Sequence, residues 1–153
     1  MSSHDCAVRG NINVRDGITD SQVRAAIQPF LIKDGRSDFD EQVTEGNIEF
    51  DGSALSFSLN FYGYGGYQSD AVDMLVQQLE TIVDGHAYIE VMDFDTGDLD
   101  AACCPQFIAT DEVGRQAARL EYGILQMTDY VVPVVGKEAF ETLRKHILTL
   151  PRE

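Results

Sequence analysis

The sequence predicts an α+β domain, a ferredoxin-like antiparallel sheet with helices packed on one face, and three observations predict it. Residues 47–61 contain two runs of alternating apolar and polar residues separated by Asp51-Gly52, a pair suited to a tight hairpin turn. Directly after them, Val72, Leu75, Val76, Leu79, Ile82 and Val83 recur at helical spacing. The segments follow in the order strand, helix, hairpin, helix, further strands and a closing helix, with no repeat and no second core. A chain of 153 residues can bury roughly 70% of its unfolded surface around one core, so residues 1–153 are read as a single domain.

The first strand is expected over Cys6–Val14, with Val8, Ile12 and Val14 inward. Asp16-Gly17 turns the chain, and Thr19 or Asp20 caps a helix with Val23, Ala26 and Ile27 on one side. Pro29 should end or kink that helix and keep it short. Lys33–Gly46 reads as a mobile acidic connection. In the second hairpin arm Leu55, Phe57, Leu59 and Phe61 share one face, while Ser56, Ser58, Asn60 and Tyr62 share the other. One face therefore packs and the other meets solvent or a partner. Ser69 or Asp70 caps the strongest helix, which runs to Gly85 and turns Asp70, Asp73 and Glu80 outward. Ala87–Phe94 is a strand, Asp95–Asp98 a turn, and Ala101–Ala109 a return strand interrupted by Pro105, as suits an edge or a bulge. After a turn at Asp111–Gly114, Gln116–Tyr122 and on to Met127 read as strand, and Tyr130–Val135 as extended chain around Pro133. Lys137–Leu150 closes the domain as a helix with Phe140, Leu143, Ile147 and Leu150 inward.

A hydrophobic content of 44% describes a folded chain and not an acidic tail. No run of about 18 apolar residues could span a membrane, and Met1–Gly10 lacks a basic start followed by an apolar segment, so a cytoplasmic protein is expected. Three cysteines, two of them adjacent, do not make a disulfide framework, and reduced thiols follow. In an extended segment Cys103 and Cys104 point to opposite faces.

Charge is the strongest functional signal. Between Ser37 and Gly114 stand seventeen Asp or Glu residues and no Lys or Arg, whereas the flanks hold the other nine acids and all eleven bases. An isoelectric point near 4.3 disfavours direct binding to nucleic acid. The bland reading is a solvated acidic surface. The sharper one is a small protein-binding inhibitor that blocks a basic partner, a nuclease or nucleic-acid-binding complex, by offering carboxylates to the side chains that otherwise hold phosphate. Its candidate contacts are Asp38, Asp40, Glu41, Glu45, Asp70 and Asp73, and the tip of a hairpin at Asp93, Asp95, Asp98 and Asp100, on the face opposite Phe94. Tyr62, Tyr64 and Tyr67 add large contact area at low entropic cost. This reading requires the acids to converge on one docking face. In gross size and charge the chain resembles bacterial toxin-immunity proteins, antitoxins and phage-encoded inhibitors of CRISPR or restriction systems, a resemblance that implies inhibition by protein contact. The alternative is a small-ligand or enzymatic domain, dimeric through the edge strand Ala101–Ala109, with an apolar pocket near Tyr62, His86 or Cys104.

No pattern names a reaction. A calcium loop starting at Asp93 would need an acid or amide where Gly97 stands and Glu where Cys104 stands. The cysteines and histidines lack zinc-ligand spacing. Cys103 and Cys104 lie in the base-free window, where carboxylates raise a thiol pKa and do not activate it. The glycines from Gly63 to Gly66 have no adjacent base and make no phosphate loop. No catalytic residue, metal or cofactor is assigned.

Overall fold

Cys6, Val8 and Ile12 are fully buried on β1 (Ser3–Asn13), the middle strand of the sheet. The computed structural model describes residues 3–34, 38–64, 70–94 and 102–153. After β1 come α1 (Asp20–Asp34), α2 (Phe39–Thr44), β2 (Ile48–Phe50), β3 (Ala54–Tyr64), α3 (Asp70–Glu80), β4 (His86–Asp93), β5 (Ala102–Ala109), α4 (Glu112–Val135) and α5 (Lys137–Leu148). The five strands form one antiparallel sheet in the order β2-β3-β1-β4-β5, and the fold is α+β. Through β4 the connectivity is β-α-β-β-α-β, with α2 inserted before β2; β5, α4 and α5 are appended to it.

The expected hairpin forms at Asp51-Gly52. Asp51 Oδ1 accepts the backbone N–H groups of Ser53 at 2.9 Å and Ala54 at 2.7 Å. These bonds hold the carboxyl below the usual carboxylate range. One face of the sheet carries Leu55, Leu59, Phe61, Ile89 and Val91 beneath Val23, Ile27 and Phe30 of α1 and Val72, Leu75 and Leu79 of α3, all essentially inaccessible. Each such side chain contributes roughly 1.5–3 kcal/mol by leaving water.

Two expectations about this layer are corrected. Helix α1 runs fifteen residues, straight past Pro29, because Ile27, Phe30 and Leu31 on either side of the proline are buried and that packing offsets one lost backbone hydrogen bond. The stretch read as a mobile connection contains the end of α1 and all of α2. Asp38 caps α2 by accepting the Glu41 N–H at 2.9 Å, and buried Phe39 anchors it.

The segment read as strands after Asp111 is a single 24-residue helix, α4. Asp111 is its N-cap, with Oδ1 accepting the Gly114 N–H at 2.8 Å. Gly114, Ala118 and Tyr122 then recur at i, i+4 spacing against β4 and β5. Gly114 has to be small, since a Cβ there would lie 2.6 Å from Ala109 Cβ. Register puts Ala109, Phe107 and Cys103 on the same side as His86, Tyr88 and Met92, opposite the Ile89 and Val91 face. Helices therefore touch both faces of the sheet: α1 and α3 cover one, and α4 covers the β4–β5 end of the other. Pro133 sits in the last turn of α4, and Gly136, at φ 88°, reverses the chain into α5. Of the α5 residues expected inward, Phe140 is buried and Ile147 half-buried, but Leu143 is exposed, as is Leu150 just beyond the helix.

Candidate functional site

The β2 edge of the sheet gathers carboxylates from four elements. Asp38, Asp40, Glu41 and Glu45 lie on and around α2, Glu49 on β2, Asp51 in the hairpin turn and Asp20 at the start of α1, and all seven are exposed. The scaffold beneath them is fixed. The side-chain carbonyl of Gln28 on α1 accepts the Phe39 N–H at 3.0 Å, and the Asn47 amide donates to Gln42 Oε1 at 3.0 Å and to Glu45 Oε2 at 3.2 Å. Arg24 reaches across from α1, bonding Asp40 at 2.5 and 3.1 Å and lying over the Phe39 ring at 4.9 Å from its centroid. This pair lowers the Asp40 pKa and raises that of Arg24. Concave surface flanks α2 on both sides. A cavity of about 460 Å³ meets Asp20, Asp40, Val43 and Glu49, and one of about 270 Å³ meets Glu41, Glu45, Asn47 and Asn60.

Next to this edge, the second face of the sheet is polar and open. Ser58 and Asn60 of β3 alternate with Arg9 and Asn11 of β1, all exposed, as the alternation in the hairpin arm requires. Tyr62 and Tyr64 occupy β3 positions opposite Asp5 and Ser3. Tyr67, Asp95, Asp98 and Asp100 lie outside the described residues.

The remaining candidates do not join them. Asp70 and Asp73 are exposed on α3, which contacts β5, whereas α2 contacts β2, at the opposite end of the sheet. Asp93 is a correction: it is 3% exposed and points to the buried face with Ile89 and Val91, so it contributes nothing to an acidic tip, while Phe94 is the exposed neighbour. Among the described residues the candidate acids thus divide: Asp38, Asp40, Glu41 and Glu45 share the β2 edge, while Asp70, Asp73 and Asp93 lie apart from it. Bases from the sequence flanks also return to them: Lys33 approaches Asp70 at 4.0 Å, and Arg115 approaches Glu80 at 3.5 Å and Glu112 at 3.2 Å.

No family model matches the chain, and no curated protein or solved structure is similar to it. The site must be read from its own geometry.

That geometry includes a cluster that sequence reasoning missed. On the second face the Cys103 thiol donates to Glu90 Oε2 at 3.1 Å, and the Tyr122 hydroxyl donates to the same oxygen at 3.2 Å. Tyr88 and Phe107 meet the Tyr122 ring edge-on at 4.8 and 6.0 Å, and Arg119 lies over Phe107 at 5.1 Å. Reading α4 as strand hid Tyr122; only the alternation of Tyr88 and Glu90 hinted at a shared face. Burial and the Glu90 carboxylate push the Cys103 thiol up to about 11, and burial likewise raises Tyr122. Cys103 and Cys104 do face opposite sides, as register with Met92 and Val91 shows.

Cys103 is consequently a weak nucleophile. At pH 8 its thiolate is about a hundredfold scarcer than for a thiol at 9.0, and iodoacetamide should label it about a hundredfold more slowly than a cysteine peptide. Glu90→Gln should recover part of that rate. Peptide mapping by mass spectrometry reads both; labelling at the peptide rate would contradict the geometry. Because the folded pKa is raised, the thiol's contribution to stability is full below pH 9 and is lost as pH rises through about 11.

Proposed function

We propose that this chain is a protein-binding inhibitor that engages a basic, nucleic-acid-handling partner through the β2 edge of its sheet. The observation that carries this reading is the seven exposed carboxylates of that edge, with Arg24 as the one guanidinium that reaches into it among the described residues. Fixed carboxylates at spacings set by a capped helix and a hairpin compete with phosphate for Lys and Arg side chains without paying to order themselves. The field they create speeds encounter with a positively charged surface, and the concavities beside α2 receive its side chains.

Replacing Glu41, Glu45 and Glu49 together by Lys tests the proposal, since none of the three side chains closes a helix end; Glu45 ends α2 through its backbone N–H, which a lysine keeps. In affinity capture from the native cell, a basic protein held at low salt and released at high salt is expected to bind the reversed variant at least about tenfold more weakly. Reversal of Asp70 and Asp73 should have a much smaller effect. Equal retention by all three proteins would sink the proposal.

A further inference from the structure

The charge of the chain divides at α4. Residues 1–111 hold five bases and twenty acids, whereas residues 112–153, which form α4, α5 and the end of the chain, hold six of each. The whole net charge of −15 therefore belongs to the sheet body, and the helical pair appended to it is neutral. Between the two helices runs a groove of about 630 Å³. Its walls are apolar: Leu120, Ile124 and Met127 of α4 stand against Ile147 of α5, with Leu150 just beyond. Because Gly136 reverses the chain, α5 runs back along α4, and Arg152 falls beside Gln116 and Arg119 at the end of the groove far from Met127.

Two features of this groove are unused by the fold. Arg119 lies over the Phe107 ring, which holds its guanidinium in place, and neither it nor Arg152 has a carboxylate partner among the described residues, whereas Arg24, Lys33, Arg115 and Arg144 all do. Glu153 lines the same end but is exposed and pairs with neither arginine. The second feature is Gly123, midway along the groove. A helix interior disfavours glycine relative to alanine, and a Cβ at Gly114 would strike Ala109, yet a Cβ at Gly123 would meet nothing within 4 Å. Bare backbone there keeps the groove continuous from Gln116 to Met127, a distance of about 16 Å along the helix.

We infer that the groove binds a free long-chain carboxylate, its head on Arg119, Arg152 and the Gln116 amide and its alkyl chain along Leu120, Gly123 and Met127. Charge selects the head. A guanidinium without an internal partner takes a carboxylate through two parallel hydrogen bonds, and the neutral ground of α4 and α5 lets an anion approach a chain that is acidic elsewhere. Length selects the tail: at about 1.3 Å per methylene, a chain of about twelve carbons fills about 16 Å. Size selects a small molecule over a protein. The outer strip of α4, about 30 by 10 Å, would bury about 300 Å² of a partner, against about 800 Å² per side in a standard interface, whereas the groove volume falls within the roughly 300–1,000 Å³ of small-ligand sites. The site lies at the β4–β5 end of the sheet, away from the β2 edge, and does not rest on the inhibitor reading.

Titration of the whole chain with sodium dodecanoate, followed by calorimetry and by the methyl resonances of Leu120, Ile124 and Met127, should show a single site with a dissociation constant below about 50 μM and shifts centred on this groove. Full burial of a methylene is worth about fourfold in affinity, so in a groove open on one side each carbon from hexanoate to dodecanoate should add about twofold, and the gain should stop beyond about twelve carbons. Decanol should bind at least about tenfold more weakly than decanoate. Arg119→Gln and Arg152→Gln should each cost about tenfold at every chain length, whereas Gly123→Leu should cost dodecanoate about tenfold, spare hexanoate, and hold or raise the melting temperature, so that the loss cannot be misfolding. Three results would overturn the inference: no binding of dodecanoate up to about 1 mM, equal affinities for decanol and decanoate, or a dodecanoate affinity indifferent to Gly123→Leu. A ligand-free mass of twice 16.9 kDa that Gly123→Leu returns to 16.9 kDa would overturn it too, by placing a second copy in the groove.

Discussion

Replacing Asp93 by Lys is expected to cost about 3–5 kcal/mol, enough to lower the melting temperature by about 10 °C. Asp93 ends β4 on the buried face, in register with Cys6 and Ala102 and 3% exposed, and it is not without a partner there. A lysine would bury an ammonium group on a longer stem in its place, beside Val91 and Cys6, where neither water nor a carboxylate at position 93 can compensate it. Against a total stability of about 5–15 kcal/mol the loss is severe. By contrast, each lysine at positions 41, 45 and 49 replaces an exposed side chain and should change stability by about 0.5 kcal/mol or less. Urea unfolding of the four single variants separates them, and an Asp93→Lys midpoint equal to the parent's would show that the position is not buried in solution.

The same residue shows where sequence reasoning stops. An apolar residue is assumed to point inward, so Phe94 implied that Asp93 points out; yet the strand's parity is set by Ile89 and Val91, and β4 ends before Phe94. Where periodicity is long and clean the reading holds: the hairpin at Asp51-Gly52, the alternation of Leu55 through Phe61 and the body of α3 form as expected, though α3 ends at Glu80 and not at Gly85, and Val83 pairs with Val14 instead. It fails at α4, whose two glycines and whose Val, Ile and Tyr residues suggest extended chain. Local propensity favours strand for such residues, and packing of α4 against β4, β5 and α5 overrides it. The charge asymmetry of residues 37–114 was legible, but its spatial consequence was not, because folding returns Arg24, Lys33 and Arg115 to Asp40, Asp70 and Glu80. What survives of the expected acidic face is the part whose members are close in sequence, from Asp38 to Asp51.

That surviving edge depends on α1, and truncating Phe30 should show it. Phe30 and Phe61 are the largest fully buried side chains, meeting edge-to-face at 5.5 Å where α1 crosses β3. Phe30→Ala and Phe61→Ala should each cost about 3–5 kcal/mol, the transfer free energy of the ring plus the cavity it leaves. The double variant should fall short of their sum by about 0.5–1.5 kcal/mol, the part that belongs to the ring pair itself. Only Phe30 stands on the helix that also carries Gln28 and Arg24, the two residues that hold α2 by its Phe39 N–H and its Asp40 carboxylate. Loosening α1 should therefore weaken partner binding even though every carboxylate of the edge remains, and more in Phe30→Ala than in Phe61→Ala at matched stability. Equal binding losses would mean that the edge carboxylates act through their summed charge alone, and that the geometry α1 imposes on them is irrelevant to recognition.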